Sequence, residues 1–380
     1  MTAADTDKRL MRRALRLAAR GAGRASPNPM VGAVIVAGGE IVGEGYHHGP
    51  GTAHAEIAAL EQAGDRARGA TMYLTLEPCT HYGRTPPCAP EVIAAAPSRV
   101  VIASEDPNRK VAGAGIAALR QAGIEVEVGL LRDDENRLNE AYRRYIRTGQ
   151  PFVTLKIAMS LDGKIATRTG ESRWITGAKA RVEAHRMRRD ADAVLVGVGT
   201  VIADDPALTV RHVRAHRRPL CVVADSKART PPGAKVCAGE RPPLIAVTME
   251  AAPQDVQALR EAGAEVLTFP DRDGKVDLAA LLQELGEREV ASVLVEGGGE
   301  LIASFIERDL ADKLVVFIAP KIIGGAEAPT AVEGTGIAAI EQAWPLRDVR
   351  CRRVGDDLMI TAYLAADPPP LKLRGTSQCG

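Results

Sequence analysis

Short apolar runs alternate with helical patterns along the whole chain, and one turn signal near the middle divides the series in two. An amphipathic helix opens the first series, with Leu10, Ala14, Leu17 and Ala18 at helical spacing. Val31–Ala37 and Thr71–Leu76 predict strands, with a helix at Ala55–Ala63 between them. Arg99–Ala103 and Ile124–Val128 continue as strands around a helical Gly115–Gln121, and the charged Arg132–Ile146 reads as a closing helix. Thr148-Gly149-Gln150-Pro151 is a turn signal and the predicted domain boundary. A second series begins at Phe152–Ala158. It predicts strands at Ala193–Val198, Leu220–Ala224, Leu244–Val247, Val290–Val295 and Leu314–Ile318, with helices near Ala180–Arg189, Val256–Glu261 and Leu278–Leu285. Both halves therefore read as α/β with mainly parallel sheets. The expected division is 1–149, 150–366 and a loose tail at 367–380.

Composition narrows the function classes. Aromatic residues are only 3% of the chain, so its cores must be built from Ala, Val, Leu and Ile. No apolar run reaches the roughly 18 residues of a membrane-spanning helix, so no membrane partner is expected. The first residues carry scattered charges (Asp5, Asp7, Lys8, Arg9, Arg12, Arg13) in place of a signal-peptide core, and a cytoplasmic protein is expected. A net charge of +1 without a basic run argues against a general nucleic-acid binder. Of the six cysteines, only Cys79 and Cys88 are close in sequence. In a long chain without a secretion signal, such a pair reads as metal-binding or catalytic rather than as a disulfide.

His54-Ala55-Glu56 stands at the predicted start of a helix, and Glu77-Pro78-Cys79 at the end of a strand. Cys88 follows across a loop rich in Gly and Pro. One His and two Cys suffice for zinc with a fourth position left to water, the arrangement of a catalytic site. Zinc lowers the pKa of such a water toward about 7. Hydrolytic deamination of an amidine-like carbon also needs a group to carry protons from that water to the ring nitrogen and the leaving amine. Glu56, beside His54, is the candidate for that work. The combination matches the H-x-E…P-C-x-x-C pattern of zinc nucleobase deaminases, except that the cysteines are farther apart. His81 is near enough in sequence to supply a fourth ligand, which would make the site structural instead.

Three stretches closely resemble the deaminase half of the bifunctional riboflavin biosynthesis proteins, in which a pyrimidine deaminase is fused to a reductase. They are Pro27-Asn28-Pro29-Met30-Val31-Gly32, His54-Ala55-Glu56 and Thr75-Leu-Glu-Pro-Cys-Thr-His-Tyr-Gly-Arg-Thr-Pro-Pro-Cys88. The longer Cys79-to-Cys88 loop is a feature of that family. The resemblance implies a cytidine-deaminase-like three-layer sandwich, with Asn28, His47, Arg84, Asp106 and Asn108 at substrate-contacting positions. The family usually continues Asp-Pro-Asn with Pro, where this chain has Arg109.

In the second half the dinucleotide fingerprint is met only by near misses. Gly113-Ala-Gly115-Ile-Ala-Ala118 lies too far from its preceding strand, and Gly197-Val-Gly199-Thr200 has Ile202 at the third small-residue position. Val295-Glu296-Gly297-Gly298-Gly299-Glu300 is the better candidate, a strand running through glycines into the helical Leu301–Ile306. Backbone N–H groups at such a turn can hold a phosphate. This half also resembles the reductase half of the same family, whose fold is like dihydrofolate reductase. The matching stretches are Leu155–Gly163, Trp174-Ile-Thr176, Val196–Thr200, Ala203–Pro206, Leu208–Arg211, Glu296–Gly299 and Ala319-Pro-Lys321.

By that resemblance Ala158, Trp174, Thr200, Asp204, Ser226 and the segment Gly298, Gly299, Glu300, Leu301, Ile302, Ala303, Ser304 would face NADPH. Ser172, Arg188, Leu208, Arg211 and Glu296 would face the substrate, with the arginines suited to its phosphate. Lys156 and Asp204 are expected as polar groups at the reacting carbon. The implied protein is a homo-oligomeric enzyme that deaminates a phosphoribosyl-pyrimidine with zinc and then reduces its ribosyl group with NADPH. Two other readings fit parts of the sequence. A nucleic-acid base deaminase with an accessory domain would need a basic face. A non-catalytic zinc module would need a closed four-ligand site and would leave Glu56 without a role.

Overall fold

The computed structural model describes residues 2–83, 85–109, 111–239 and 241–364, so Arg84 and the predicted tail 367–380 lie outside it. The chain separates into two compact units, Met1–Pro151 with Gly286–Ala291, and Phe152–Leu285 with Ser292–Gly380. Among the described residues, no helix is long and apolar enough to cross a membrane.

The first unit is built on strands β1 (Gly32–Ala37), β2 (Glu40–Tyr46), β3 (Thr71–Leu76), β4 (Arg99–Ser104) and β5 (Glu125–Val128). They lie in the order β2-β1-β3-β4-β5. β1 runs antiparallel to β2 and β3, whereas β3, β4 and β5 are parallel. The sheet is thus mixed where a mainly parallel one was expected. The difference is the hairpin β1–β2, which turns at Gly38 and Gly39, both at positive φ, the conformation a tight hairpin turn requires. Helix α1 (Ala3–Ala18) covers one face, packing Leu10, Met11, Ala14 and Leu17 on Val34, Tyr73 and Val101. The other face, with Ala33, Ile35, Met72, Leu74 and Ile102, packs against α2 (Ala55–Ala63), α3 (Cys88–Ala95) and α4 (Ala114–Gln121).

The three layers place the chemistry. A Cβ at Gly43 or Gly45 would lie 2.2 Å from the carbonyl oxygen of Ala59 or Ala55, respectively. Glycine at both positions therefore lets α2 lie directly on β2, holding its His54 end against the sheet. The predicted closing helix is broken into α5 (Arg132–Leu138) and α6 (Glu140–Thr148) at Asn139. The Asn139 side chain accepts from the Met30 N–H (2.8 Å) and donates to the Met30 carbonyl (2.9 Å), tying down the Asn28–Met30 segment.

Among the described residues, the second unit has a sheet of nine strands. They are β6 (Phe152–Ser160), β7 (Ala193–Gly197), β8 (Leu220–Ala224), β9 (Leu244–Val247), β10 (Glu265–Thr268), β13 (Ser292–Glu296), β14 (Lys313–Ala319), β15 (Arg347–Val354) and β16 (Asp357–Tyr363). A two-residue ladder, β11 (Asp271–Arg272) with β12 (Lys275–Val276), stands apart. The order is β10-β9-β8-β7-β13-β6-β14-β16-β15, parallel except for the antiparallel hairpin β15–β16 at one edge. The helices are α7 (Ala178–Asp190), α8 (Val198–Asp204), α9 (Pro253–Glu261), α10 (Leu278–Glu287) and α11 (Gly299–Glu307). Strands β7, β8, β9 and β13 are mostly buried, which is why they read as nearly continuous apolar runs. Burying each such side chain stabilises the fold by roughly 1.5–3 kcal/mol.

Two candidate active sites

In the first unit His54 is the N-cap of α2 and Cys88 opens α3, while Cys79 lies just past β3. The three donor atoms lie within 4.8 Å of one another. His54 Nδ1 is 3.0 Å from Cys88 Sγ and 3.6 Å from Cys79 Sγ. Zinc bonds of about 2.0–2.3 Å in a tetrahedron give donor separations of about 3.5–3.8 Å, so the donor types fit a zinc ion and a shift of about half an ångström at Cys88 brings the spacing to it. His54 Nε2 is 3.1 Å from the Thr85 hydroxyl, which fixes the ring with Nδ1 facing the thiols. The Cys79 thiol is pushed down to about 4 by the Cys88 thiol that donates to it and by His54. Cys88, the donor of that pair, is pushed up. A cation among the three groups would favour thiolate at both. Among the described residues His81 lies outside this group, and no fourth donor joins it.

Glu56 is 3% exposed, in the first turn of α2 beside this cluster. Burial pushes its carboxyl up to about 7, against the opposing effects of its own backbone and His54. A carboxyl titrating near neutrality can both take and give a proton there. Around the cluster, Asn28 Nδ2 is 3.1 Å from His47 Nε2, and the His47 ring meets His54 edge to face at 5.1 Å. Burial holds the His47 pKa below its ordinary value. Asp106 is buried, and its Oδ1 accepts from the Asn108 N–H (2.8 Å) and the Tyr142 hydroxyl (2.9 Å). Asn28 and His47 thus come together with the zinc donors, and Asp106 with Asn108.

Sequence reading missed Glu77. Its buried carboxylate accepts from the backbone N–H groups of Asp106 (3.2 Å), Gly113 (3.0 Å), Gly115 (2.8 Å) and Ile116 (3.2 Å). It caps α4 and pins the Asp106 loop two residues from Cys79. Only its place in the Thr75–Cys88 stretch could have singled it out.

The second unit brings two Gly-rich strand-to-helix turns side by side. β7 and β13 are neighbouring parallel strands, and each ends in such a turn, into α8 and α11. A Cβ at Gly297 would lie 3.8 Å from the Gly197 nitrogen, so the two turns touch. Ligands in open α/β sheets bind at such carboxyl ends. Helix α11 begins at Gly299, earlier than predicted, and Gly298 as its N-cap makes no side-chain bond, leaving first-turn N–H groups for an anion. Not every residue expected at this site turns toward it. Ile302 and Ala303 are buried in the core, as is the Leu208 side chain, leaving their backbones for any ligand contact. The Ser226 hydroxyl already accepts from the Val276 N–H at 3.1 Å. Glu300 is exposed, while Ser304, Leu301, Thr200 and Ala158 are half-buried.

Glu296, at the end of β13, is 8% exposed. It accepts from Arg188 Nε (2.6 Å) and Nη2 (3.0 Å), and Lys156 Nζ lies 3.5 Å away. Burial alone would raise its pKa, but the charges and hydrogen bonds of Arg188 and Lys156 prevail and hold it at about 2. Ser172 donates to Asp204 Oδ1 at 2.7 Å, and Arg173 donates to the Asp204 carbonyl. Lys156 thus pairs with Glu296, and Asp204 with Ser172 and Arg173. The Trp174 ring is 61% exposed, with the Arg181 guanidinium 4.6 Å from its centroid.

Residues 4–104 match the family model described as "Cytidine and deoxycytidylate deaminase zinc-binding region", and residues 151–360 match "RibD C-terminal domain". The chain is 45% identical to the riboflavin biosynthesis protein RibD of Aquifex aeolicus, over 94% of this chain and 98% of that one. It is 40% identical to the RibD of Escherichia coli, over 93% and 98%. Among solved structures it resembles Acinetobacter baumannii RibD, with a TM-score of 0.85, 36% identity and coverage of 96% of this chain and 100% of that one. A Thermotoga maritima diaminohydroxyphosphoribosylaminopyrimidine deaminase/5-amino-6-(5-phosphoribosylamino)uracil reductase matches with a TM-score of 0.84, 35% identity and coverage of 96% and 100%. A zinc-binding deaminase region followed by a RibD reductase region, along nearly the whole length of such relatives, leaves one assignment: the chain belongs to the RibD family of riboflavin biosynthesis, bifunctional enzymes in which a zinc-dependent deaminase is joined to an NADPH-dependent reductase.

Proposed function

We propose that this enzyme replaces the 2-amino group of 2,5-diamino-6-(5-phosphoribosylamino)pyrimidin-4(3H)-one with oxygen, releasing ammonia. It then reduces the ribosyl group of the product to give 5-amino-6-(5-phosphoribitylamino)uracil. The observation that carries the first step is a buried carboxyl, Glu56, beside one imidazole and two thiols at zinc-binding spacing. His54, Cys79 and Cys88 hold the zinc, which when bound supplies the acidity that turns water into a nucleophile near neutral pH. Glu56 would carry one proton from the water to the ring nitrogen and the second, from the added hydroxyl, to the amine, which leaves as ammonia. Asn28, His47, Asp106 and Asn108 orient the pyrimidine, and Arg84 is assigned with them from the sequence.

In the second step the hydride comes from NADPH, and the chain's own residues position the two partners. The turn at Gly298 and Gly299 offers backbone N–H groups to a cofactor phosphate, and Trp174, Thr200 and Asp204 line the same cofactor site. Glu296 holds Arg188 and Lys156 in place, and Ser172 and Arg211 complete the substrate side.

Glu56→Gln keeps the size of the side chain and all three metal donors. It should retain zinc, lose deamination by about 10²–10⁴-fold and still reduce the deaminated compound. Near-normal deamination would exclude Glu56 as the proton carrier.

We assign deamination to residues 1–149 and reduction to 150–366. Fragments 1–150 and 151–380 should each show one activity alone. A folded first fragment that deaminates only after the second is added would overturn this division. The reading includes a cytoplasmic homo-oligomer that binds a small molecule rather than nucleic acid. The exposed apolar residues Ile340, Trp344, Leu346 and Val349, within or near edge strand β15, support self-association, which sedimentation velocity would measure.

A further inference from the structure

Two exposed or strained features meet at the segment after α8. Leu208 and His212 both hold positive φ, +48° and +64°, a conformation costly for residues with a side chain. Between them lie Thr209, Val210 and the exposed Arg211. Such a bend persists only if its surroundings fix it. Two hydrogen bonds from α7 do so. Arg188 Nη1 donates to the Thr209 carbonyl at 3.2 Å, and His185, one turn earlier on the same helix, accepts the Arg211 N–H on its Nδ1 at 3.1 Å. Arg188 is in turn clamped by Glu296. His185 itself is 7% exposed, and the His212 ring stands edge to face with it at 5.1 Å.

We infer that His185 is a positioning residue of the reductase. As a fixed acceptor it locks the Leu208–His212 bend so that Arg211 is presented to the phosphate of the substrate. The inference rests on the reading of Arg211 as a substrate-facing residue. Its chemistry requires a lone pair on Nδ1, so the imidazole must be neutral with its proton on Nε2. Burial and the neighbouring positive charges of Arg188 and Arg211 push His185 down to about 4, which keeps that lone pair free at neutral pH. An imidazolium would instead turn a donor toward the Arg211 N–H and break the lock. Helix α7 thus contributes two side chains a turn apart, one for each end of the bend.

The test uses the full-length enzyme supplied with the deaminated substrate, and ribose 5-phosphate as a competitive probe of the phosphate subsite. His185→Phe keeps a ring but removes the acceptor. It should raise the substrate KM and the ribose 5-phosphate Ki by about tenfold, with kcat within about threefold and NADPH affinity unchanged. His185→Asn, whose amide oxygen can take the place of Nδ1, should return both constants to within about threefold of the wild type. Arg211→Ala separates the two layers of the inference. Unchanged KM and Ki in that variant would overturn the reading of Arg211. Raised values there, beside an unaffected His185→Phe, would overturn the role of His185 alone. Equal losses in His185→Phe and His185→Asn would also overturn it, because the acceptor would then be irrelevant. If His185→Phe loses NADPH binding through misfolding, His185→Asn decides: wild-type KM and Ki support the lock, and raised values with normal NADPH binding refute it.

Discussion

Arg188→Leu tests how the reductase unit holds its buried carboxylate. Glu296 is almost fully buried and takes two of its three cationic contacts from the Arg188 fork, with Lys156 supplying the third at 3.5 Å. Its carboxyl is held at about 2 against the ordinary 4.5. That displacement corresponds to about 3 kcal/mol at neutral pH. Removing the principal partner from a buried charge typically costs about 3–5 kcal/mol, in agreement. Because the native value lies below the unfolded one, the contribution is complete above about 4.5 and is lost as the pH falls toward about 2. Both tryptophans, Trp174 and Trp344, belong to the second unit, so urea unfolding followed by tryptophan fluorescence reads that unit by itself. At pH 7 the variant should lose about 3 kcal/mol, and the gap to the wild type should narrow as the pH is lowered below about 4.5. Adding Glu296→Gln to Arg188→Leu should restore part of the loss, because no unpaired charge remains. An unchanged midpoint for the single variant, or a double variant that costs the sum of both singles, would refute the argument.

Gly298→Asp has open space around its Cβ, so it should fold normally while setting a carboxylate where a phosphate is expected. NADPH titration should show a strong loss of affinity with deamination intact. Gly299→Ala differs in kind, since its Cβ would meet the Thr330 carbonyl at 2.5 Å, and it should lower stability by about 1–3 kcal/mol in the same fluorescence assay. Glu77→Gln replaces an acceptor of four backbone N–H groups with one that carries donors of its own. It should destabilise the first unit by about 2 kcal/mol and raise the KM for deamination through the loosened Asp106 loop, as steady-state kinetics would show.

What was legible in the sequence follows from how local each signal is. His54, Glu56, Cys79 and Cys88 were readable because their residue types are uncommon and their spacing belongs to one helix start and one loop. The alternation of strands and helices was readable wherever burial on both faces left a continuous apolar run, as in Ala193–Gly197 or Leu244–Val247. Strand β2 left no such trace. Gly43 and Gly45 occupy it because α2 lies too close for any side chain, so tertiary packing removed the pattern that would have announced the strand. Strand β15 was missed for the opposite reason, being exposed along nearly its whole length. The break at Asn139 was invisible because the gain that compensates it, a two-way bond to Met30, lies far away in the chain.

The proposed nicotinamide site shows the same limit from another side. Judged one at a time, Gly197-Val-Gly199 and Gly297-Gly298-Gly299 are weak signals, each as consistent with an ordinary turn as with a phosphate cradle. They are brought side by side only because β13, late in the chain, inserts between β7 and β6 and sets its turn against the Gly197 nitrogen. The same strand ends in Glu296, which gathers Lys156 from β6 and Arg188 from α7. Inserting one late strand between two early ones therefore assembles the proposed cofactor turn and the charged substrate cluster together. Neither could be derived from its own segment, because strand order is a property of the whole sheet.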